Sequence, residues 1–158
     1  MIFPDMAGVI LVAMATFAMI YFVPKEKIYR HLPFGLSFGL GIAIILVILM
    51  QNVFGFWRFA NADILHIYNI PLLISAAWIP TVIVYAHFLA KRVSFTRILI
   101  LIGLFAMASV VIHYLLLANQ MLIYENWNLF LTFSIAGSIH LAIAVYLYMI
   151  GHIKEVKG

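Results

Sequence analysis

The chain has 158 residues, of which 67% are hydrophobic and only 9% are charged. Soluble domains average about 45–50% apolar and about 25% charged residues, and a domain of this length cannot enclose so much apolar surface. The composition therefore predicts a membrane protein with a single domain over residues 1–158. Cysteine is absent, which excludes disulfides, thiolate metal sites and a cysteine nucleophile.

Five stretches are long and apolar enough to be transmembrane helices, each of which needs about 20 residues to cross a ~30 Å hydrocarbon core. In chain order they cover approximately residues 6–23, 32–54, 70–90, 98–119 and 129–151. These runs are continuously apolar and do not alternate, as the strands of a membrane β-barrel do. The sequence therefore predicts an all-α, polytopic bundle of five transmembrane helices.

The positions of lysine and arginine predict how the bundle is oriented. Eight of the nine lie on one side of the predicted membrane, after the first helix, between the third and fourth, and after the fifth: Lys25, Lys27, Arg30, Lys91, Arg92, Arg97, Lys154 and Lys157. The positive-inside rule makes that side cytoplasmic, with the N-terminus outside and the C-terminus inside. This asymmetry accounts for the net charge of +4, so we predict no nucleic-acid partner.

Small residues and one proline mark helix packing. Gly35 and Gly39 form a GxxxG motif in the second helix, and the fifth helix has a similar face at Ser134, Gly137 and Ser138. Such spacing lets two helix backbones approach closely, either inside the bundle or at a homodimer face. Pro80 lies well inside the third helix and is expected to kink it.

Two histidines, His113 and His140, lie within the fourth and fifth predicted helices. Ionisable side chains inside a membrane are costly and therefore suggest a function. They are interpreted either as neutral histidines bonded to a serine or a carbonyl, or as axial ligands of a haem b. Their predicted depths differ by roughly 7–8 Å, which disfavours haem. The histidine spacings match no metal motif, so we predict no metal site.

The two loops on the predicted outer side are rich in polar and aromatic residues: Trp57, Arg58, Asn61, Asp63, His66, Tyr124, Glu125, Asn126 and Trp127. One interpretation is an interfacial aromatic belt. The other is an outward-opening site for a lipid headgroup or a small ligand, in which Arg58 holds an anionic group. Glu125, Asp63 or His66 would then move protons.

Three short motifs carry a family resemblance: Gly55-Phe56-Trp57 after the second helix, Pro71-Leu72 opening a helix with Trp78 and Tyr85, and Tyr124-Glu125-Asn126-Trp127 before the last helix. Over roughly residues 50–150 the chain resembles a family of small five-helix membrane proteins found mainly in Gram-positive, spore-forming bacteria. The resemblance implies the fold and the bacterial inner (cytoplasmic) membrane, and it transfers no catalytic residue. A fainter similarity is with membrane carotenoid-modifying enzymes, whose acidic Pro-x-Glu-Glu type motif is missing here.

Three functional hypotheses follow. The first is a non-enzymatic membrane subunit, or a binder of a lipid or another hydrophobic ligand, without a cofactor. The second is a membrane enzyme that acts on an isoprenoid or a lipid through acid–base chemistry. The third is a haem b membrane anchor or a small transporter. The expected partners are the lipid bilayer and either other membrane subunits or a second copy of the chain.

Overall fold

A computed structural model describes residues 5–90 and 94–153 of the chain. Within these residues the helices are α1 (Ala7–Phe22), α2 (Lys25–Val53), α3 (Leu72–Leu89), α4 (Phe95–Ala118) and α5 (Leu129–Met149). Of the helices described, α2, α3, α4 and α5 are long and apolar enough to cross a membrane, whereas α1 is shorter at 16 residues. A mainly helical bundle is therefore confirmed.

The start of α2 differs from the prediction. The helix begins at Lys25 and not near residue 32. The prediction placed the start too late because the first two helical turns are charged, and a search for apolar stretches leaves them out. Pro33 lies inside the helix and has no N–H to donate. The backbone then widens into a π-helical segment, Gly35–Gly41, and a second such segment, Ile48–Val53, ends the helix.

The third helix, α3, is the central element of the bundle. In the apolar part of α3, 61% of the residues are buried, whereas the corresponding parts of the other membrane-length helices described have only 17–28% buried residues. Tyr85, Ile83 and Leu89 are its largest fully buried side chains. The helix is interrupted by a single turn residue at Ala77, three residues before Pro80.

The GxxxG motif of α2 packs against α3. A Cβ atom at Gly39 would lie 2.5 Å from the backbone oxygen of Trp78, and one at Gly35 would lie 2.9 Å from the side chain of Ile83. Both distances are shorter than a carbon atom tolerates. Of the two predicted uses of this motif, the structure therefore shows packing inside the chain.

The outer helices α4 and α5 pack on each other and close one side of α3. Tyr85 and Leu89 of α3 share a core cluster with Ile143 and Leu147 of α5. On α5, Ser134 and Ser138 are exposed and donate hydrogen bonds to carbonyls of their own helix. Large hydrophobic side chains are exposed on α1, α2, α4 and α5, including Phe17, Ile45, Leu104 and Phe130, and none is exposed on α3.

Four short strands, which the all-α prediction did not include, lie in the loops. β1 (Trp57–Phe59) pairs antiparallel with β4 (Leu122–Tyr124), so Trp57 is opposite Tyr124. β2 (His66–Ile67) pairs with β3 (Ile70–Pro71) across a two-residue turn. Both turn residues, Tyr68 and Asn69, have positive φ angles of 49° and 65°, which match the twist of a tight hairpin.

We expect Gly39→Ala to destabilise the protein by about 1–3 kcal/mol, because the added methyl group overpacks the α2–α3 contact. The matched control is Gly41→Ala in the same helix, where the nearest atom to an added Cβ is 3.7 Å away. Both variants exchange a helical glycine for alanine, so only the steric contact differs. The unfolding midpoint of the detergent-purified protein measures the effect, and equal midpoints for both variants would contradict the described packing.

Candidate ligand-binding site

The two polar loops converge at one end of the bundle through the β1–β4 pair. The backbone N–H groups of Glu125 and Asn126 both donate to the carbonyl of Phe56, and that of Ala60 donates to Met121. The chain forms this contact between residues that are more than 60 positions apart. The convergence of the loops, which the sequence left open, is therefore a property of the fold.

Arg58 and Glu125 form an ion pair on the outside of this sheet. Arg58 Nε lies 3.2 Å from Glu125 Oε1, and the two side chains are 57% and 50% exposed. Exposed ion pairs contribute about 0–1 kcal/mol. The ion pair therefore lies at the exposed edge of the contact between the two loops and adds little stability. Neither side chain lines the cavity described below.

Asp63 is buried beneath the loops, at 1% exposure. Its Oδ2 accepts hydrogen bonds from the backbone N–H groups of Leu73 (2.6 Å) and Ile74 (2.9 Å) at the start of α3, and its Oδ1 accepts one from Leu65 at 3.1 Å. A carboxylate at a helix N-terminus satisfies orphan donors and complements the helix dipole. The structure thus gives Asp63 an architectural role. His66, in contrast, is exposed on β2.

Gln51, which the sequence analysis did not single out, joins the two strand pairs. Its Oε1 accepts from the N–H of Phe59 and its Nε2 donates to the carbonyl of Asn69, both at 2.9 Å. A glutamine at the end of an apolar helix carries no recognisable motif. Only the tertiary structure reveals this bridge.

The inner side of the β1–β4 sheet carries an aromatic and hydrogen-bonded cluster. Tyr124 Oη lies 2.8 Å from Nδ1 of His113 and 2.7 Å from Oγ1 of Thr132. Trp127 Nε1 donates to the same threonine oxygen at 2.9 Å. Trp57 is buried beside them, with its ring centroid 5.5 Å from that of His113. Four of the predicted site residues, Trp57, His113, Tyr124 and Trp127, are therefore brought together.

The cluster has two self-consistent proton arrangements. Thr132 accepts from Trp127 and has one proton, which it donates either to the carbonyl of Asn128 at 3.2 Å or to Tyr124. When Thr132 donates to Asn128, Tyr124 donates to Thr132 and accepts from His113 Nδ1. When Thr132 donates to Tyr124, Tyr124 donates to His113 Nδ1. Burial raises the pKa of Tyr124, so its hydroxyl stays neutral at physiological pH and can serve in both.

A cavity of about 310 Å³ lies beneath this cluster, between α1, α2, α3 and α4. This volume is at the lower end of the range for small-molecule sites. Its walls are mainly aliphatic and aromatic, with Trp57 and Trp78 among them. Met14 of α1 and Ala108 of α4, which also line it, are exposed, so the cavity opens sideways between these two helices.

A second, smaller space of about 40 Å³, here called the narrow branch, adjoins this cavity on the side of α5. The two spaces share Trp57, Trp78, Ser109 and His113 in their walls. The branch reaches His140, which is completely buried. Its volume suffices for two or three water molecules and leaves no room for a porphyrin between the two histidines as they stand.

The polar groups of the cavity are uncharged. The residues lining either space within the described part of the chain include no aspartate, glutamate, lysine or arginine. The hydroxyls of Ser75, Thr81 and Ser109 each donate to the carbonyl four residues earlier in the chain, so they offer only acceptor lone pairs to the cavity. Among the described residues, no group of three or more His, Asp or Glu side chains forms a metal site.

Comparisons with protein-family models, with curated proteins and with solved structures find no match to this chain. The resemblance to a family of five-helix bacterial membrane proteins therefore stays a prediction from short motifs.

We expect Asp63→Ala to lower the free energy of unfolding by about 1–2 kcal/mol, because the N-terminus of α3 loses its capping acceptor. Glu125→Ala is the matched control, since it removes another carboxylate from the same end of the bundle but only an exposed ion pair. This control is expected to change stability by less than about 0.5 kcal/mol. Equal losses in the two variants, measured by chemical unfolding in detergent, would contradict the role assigned to Asp63.

The β1–β4 pairing predicts a disulfide between Arg58→Cys and Ile123→Cys, which face each other in the register. Paired positions in a sheet have Cα atoms about 5.5 Å apart, within the range that a disulfide requires. The chain has no native cysteine, so a shift in electrophoretic mobility reports this bond alone. The control combines Arg58→Cys with Met149→Cys at the far end of α5. If the first pair oxidised no faster than the control, the two loops would not pair as described.

Proposed function

We propose that the chain is a five-helix membrane protein, with its N-terminus outside, that binds a small hydrophobic molecule inside the bundle. The observation that carries the proposal is the cavity of about 310 Å³ with apolar walls and a side opening between α1 and α4. Ligand sites are typically concave and apolar, with a few convergent polar groups that fix orientation.

The exposed surface supports membrane insertion. Four described helices have membrane-spanning length, and large apolar side chains are exposed on three of them, α2, α4 and α5, and on the shorter α1. A contiguous apolar exterior of this kind is stable in lipid and not in water. Among the basic residues used for orientation, Lys25, Lys27 and Arg30 open α2 at the end opposite the paired loops. Lys91, Arg92, Lys154 and Lys157 lie outside the described residues.

The position of the side opening supports entry from the bilayer. Met14 is 65% exposed, and Ala108 faces the same opening from α4. The outer end of the cavity is closed by Trp57 and Phe59 of β1. A hydrophobic molecule dissolved in lipid would therefore reach the cavity without crossing water.

A binding role is favoured over catalysis because the candidate acid–base residues are committed elsewhere. Asp63 caps α3, Glu125 pairs with Arg58 at the surface, and His66 is exposed on β2, away from the cavity. General acid–base catalysis requires such a group within hydrogen-bond reach of the substrate. Neither carboxylate lines the cavity.

Native mass spectrometry of the protein released from lipid nanodiscs tests the proposal. We expect the wild type to retain one hydrophobic molecule, either a co-purified lipid or added farnesol. The variant Ala108→Phe, which places a ring at the side opening, should lose at least tenfold in occupancy. Met107→Phe is the control, because Met107 is exposed on the same helix but does not line the cavity. Equal occupancy in the two variants would refute a cavity-bound ligand.

A further inference from the structure

We infer that the bound molecule is uncharged and carries a hydroxyl group that donates a hydrogen bond to Nε2 of His140. This inference rests on the proposed function and specifies the chemical class of its ligand. Isoprenoid alcohols and the phenolic hydroxyls of quinols share this chemistry.

The hydrogen bond of the other ring nitrogen fixes the tautomer of His140. Nδ1 lies 2.8 Å from the carbonyl oxygen of Ala136, one turn earlier in α5. A carbonyl can only accept, so Nδ1 carries the proton. The neutral imidazole then has a bare lone pair on Nε2, which can only accept.

The surroundings of Nε2 provide no protein donor. His140 is completely buried, and Nε2 has no hydrogen-bond partner in the structure. The neighbouring rings are Trp78, Tyr85 and Phe105, with centroids 4.8–6.0 Å from the imidazole. The hydroxyl of Tyr85 is already donated to the backbone oxygen of His140. An unsatisfied buried acceptor costs about 1–3 kcal/mol, so this nitrogen is expected to meet a donor from outside the chain.

The narrow branch offers such a donor a place near the imidazole, whose Nε2 exposes less than 1 Å² and is reached once a neighbouring ring shifts. His140 lines this branch of about 40 Å³, which shares walls with the larger cavity. The larger space fits an apolar body, whereas the branch fits only a small polar end or a few water molecules. A linear molecule with a terminal hydroxyl would place its apolar tail in the larger cavity and its hydroxyl group in the narrow branch.

The polarity of the walls disfavours anionic ligands and ligands whose head group cannot donate a hydrogen bond. The hydroxyls along the way donate to backbone carbonyls, and the walls described contain no cationic side chain. A carboxylate head would meet the Nε2 lone pair with no compensating charge. An ether of the same length would fit the space but would leave Nε2 unpaired. The hydroxyl of an alcohol can also accept, and Trp57 Nε1 is a buried donor without a partner in a wall of the same branch.

A head-group series in nanodiscs tests the inference through tryptophan fluorescence, because two of the three tryptophans line the cavity. The probes are farnesol, farnesyl methyl ether and farnesoate, which share one tail. In the wild type we expect farnesol to bind about tenfold more tightly than the ether, with farnesoate weakest. In His140→Leu, which fills a similar volume without an acceptor, the alcohol and the ether should bind within twofold of each other.

Each outcome has one meaning. Equal affinity of wild type for farnesol and its ether would overturn the head-group inference and leave the binding function intact. Failure of all three probes, and of a short-tailed hydroquinone, to bind would overturn both. Binding of the hydroquinone, but not of its oxidised quinone, would support the same donor chemistry and assign it to a quinol.

A spectroscopic measurement keeps the test independent of the variant's folding. The 15N resonance of His140 Nε2 in wild-type protein should be of the unprotonated, pyridine type. It should shift on addition of farnesol and not on addition of the ether. A protonated Nε2 resonance would overturn the assigned tautomer and, with it, the inference.

Discussion

The arrangement of the bundle depends on one buried carboxylate. Asp63 accepts three backbone hydrogen bonds, from Leu65, Leu73 and Ile74. These bonds fix the loop between α2 and α3 to the first turn of α3. Gly8 of α1 lies directly against this carboxylate, where a Cβ atom would be 2.8 Å from its Oδ2. A single group therefore positions the loop, the start of α3 and the start of α1. Removing this carboxylate would leave buried N–H donors unsatisfied.

The cavity follows from this arrangement. With α3 held at the centre, α2 approaches it closely at Gly39, while α1 and α4 flank it without closing over Met14 and Ala108. The paired strands β1 and β4 then cover the end of the cavity nearest the loops with Trp57. The result is an apolar space that is closed at the end nearest the loops and open at the side between α1 and α4. A ligand that partitions into lipid would meet this opening directly.

The sequence predicted the helices well because a long apolar run has few alternatives to a helix. The boundaries of α1 lie within one residue of the predicted span 6–23. The start of α2 was wrong because its charged first turns are helical without being apolar. The strand pairs were missed because three-residue segments carry no measurable periodicity and their pairing joins distant loops. Asp63 was a candidate for moving protons in one of two interpretations of the loops, whereas its capping role depends on a tertiary contact that no spacing rule encodes.

The claim that this cavity takes up a hydrophobic molecule is tested most directly at Trp57, which is 3% exposed and lines its wall. A variant with Trp78→Phe and Trp127→Phe retains this tryptophan alone. Titration with a brominated long-chain alcohol in nanodiscs should quench its fluorescence saturably, and Ala108→Phe should abolish that quenching. Quenching that rises linearly with the probe and is unchanged by Ala108→Phe would show only partition into the bilayer and would contradict the account.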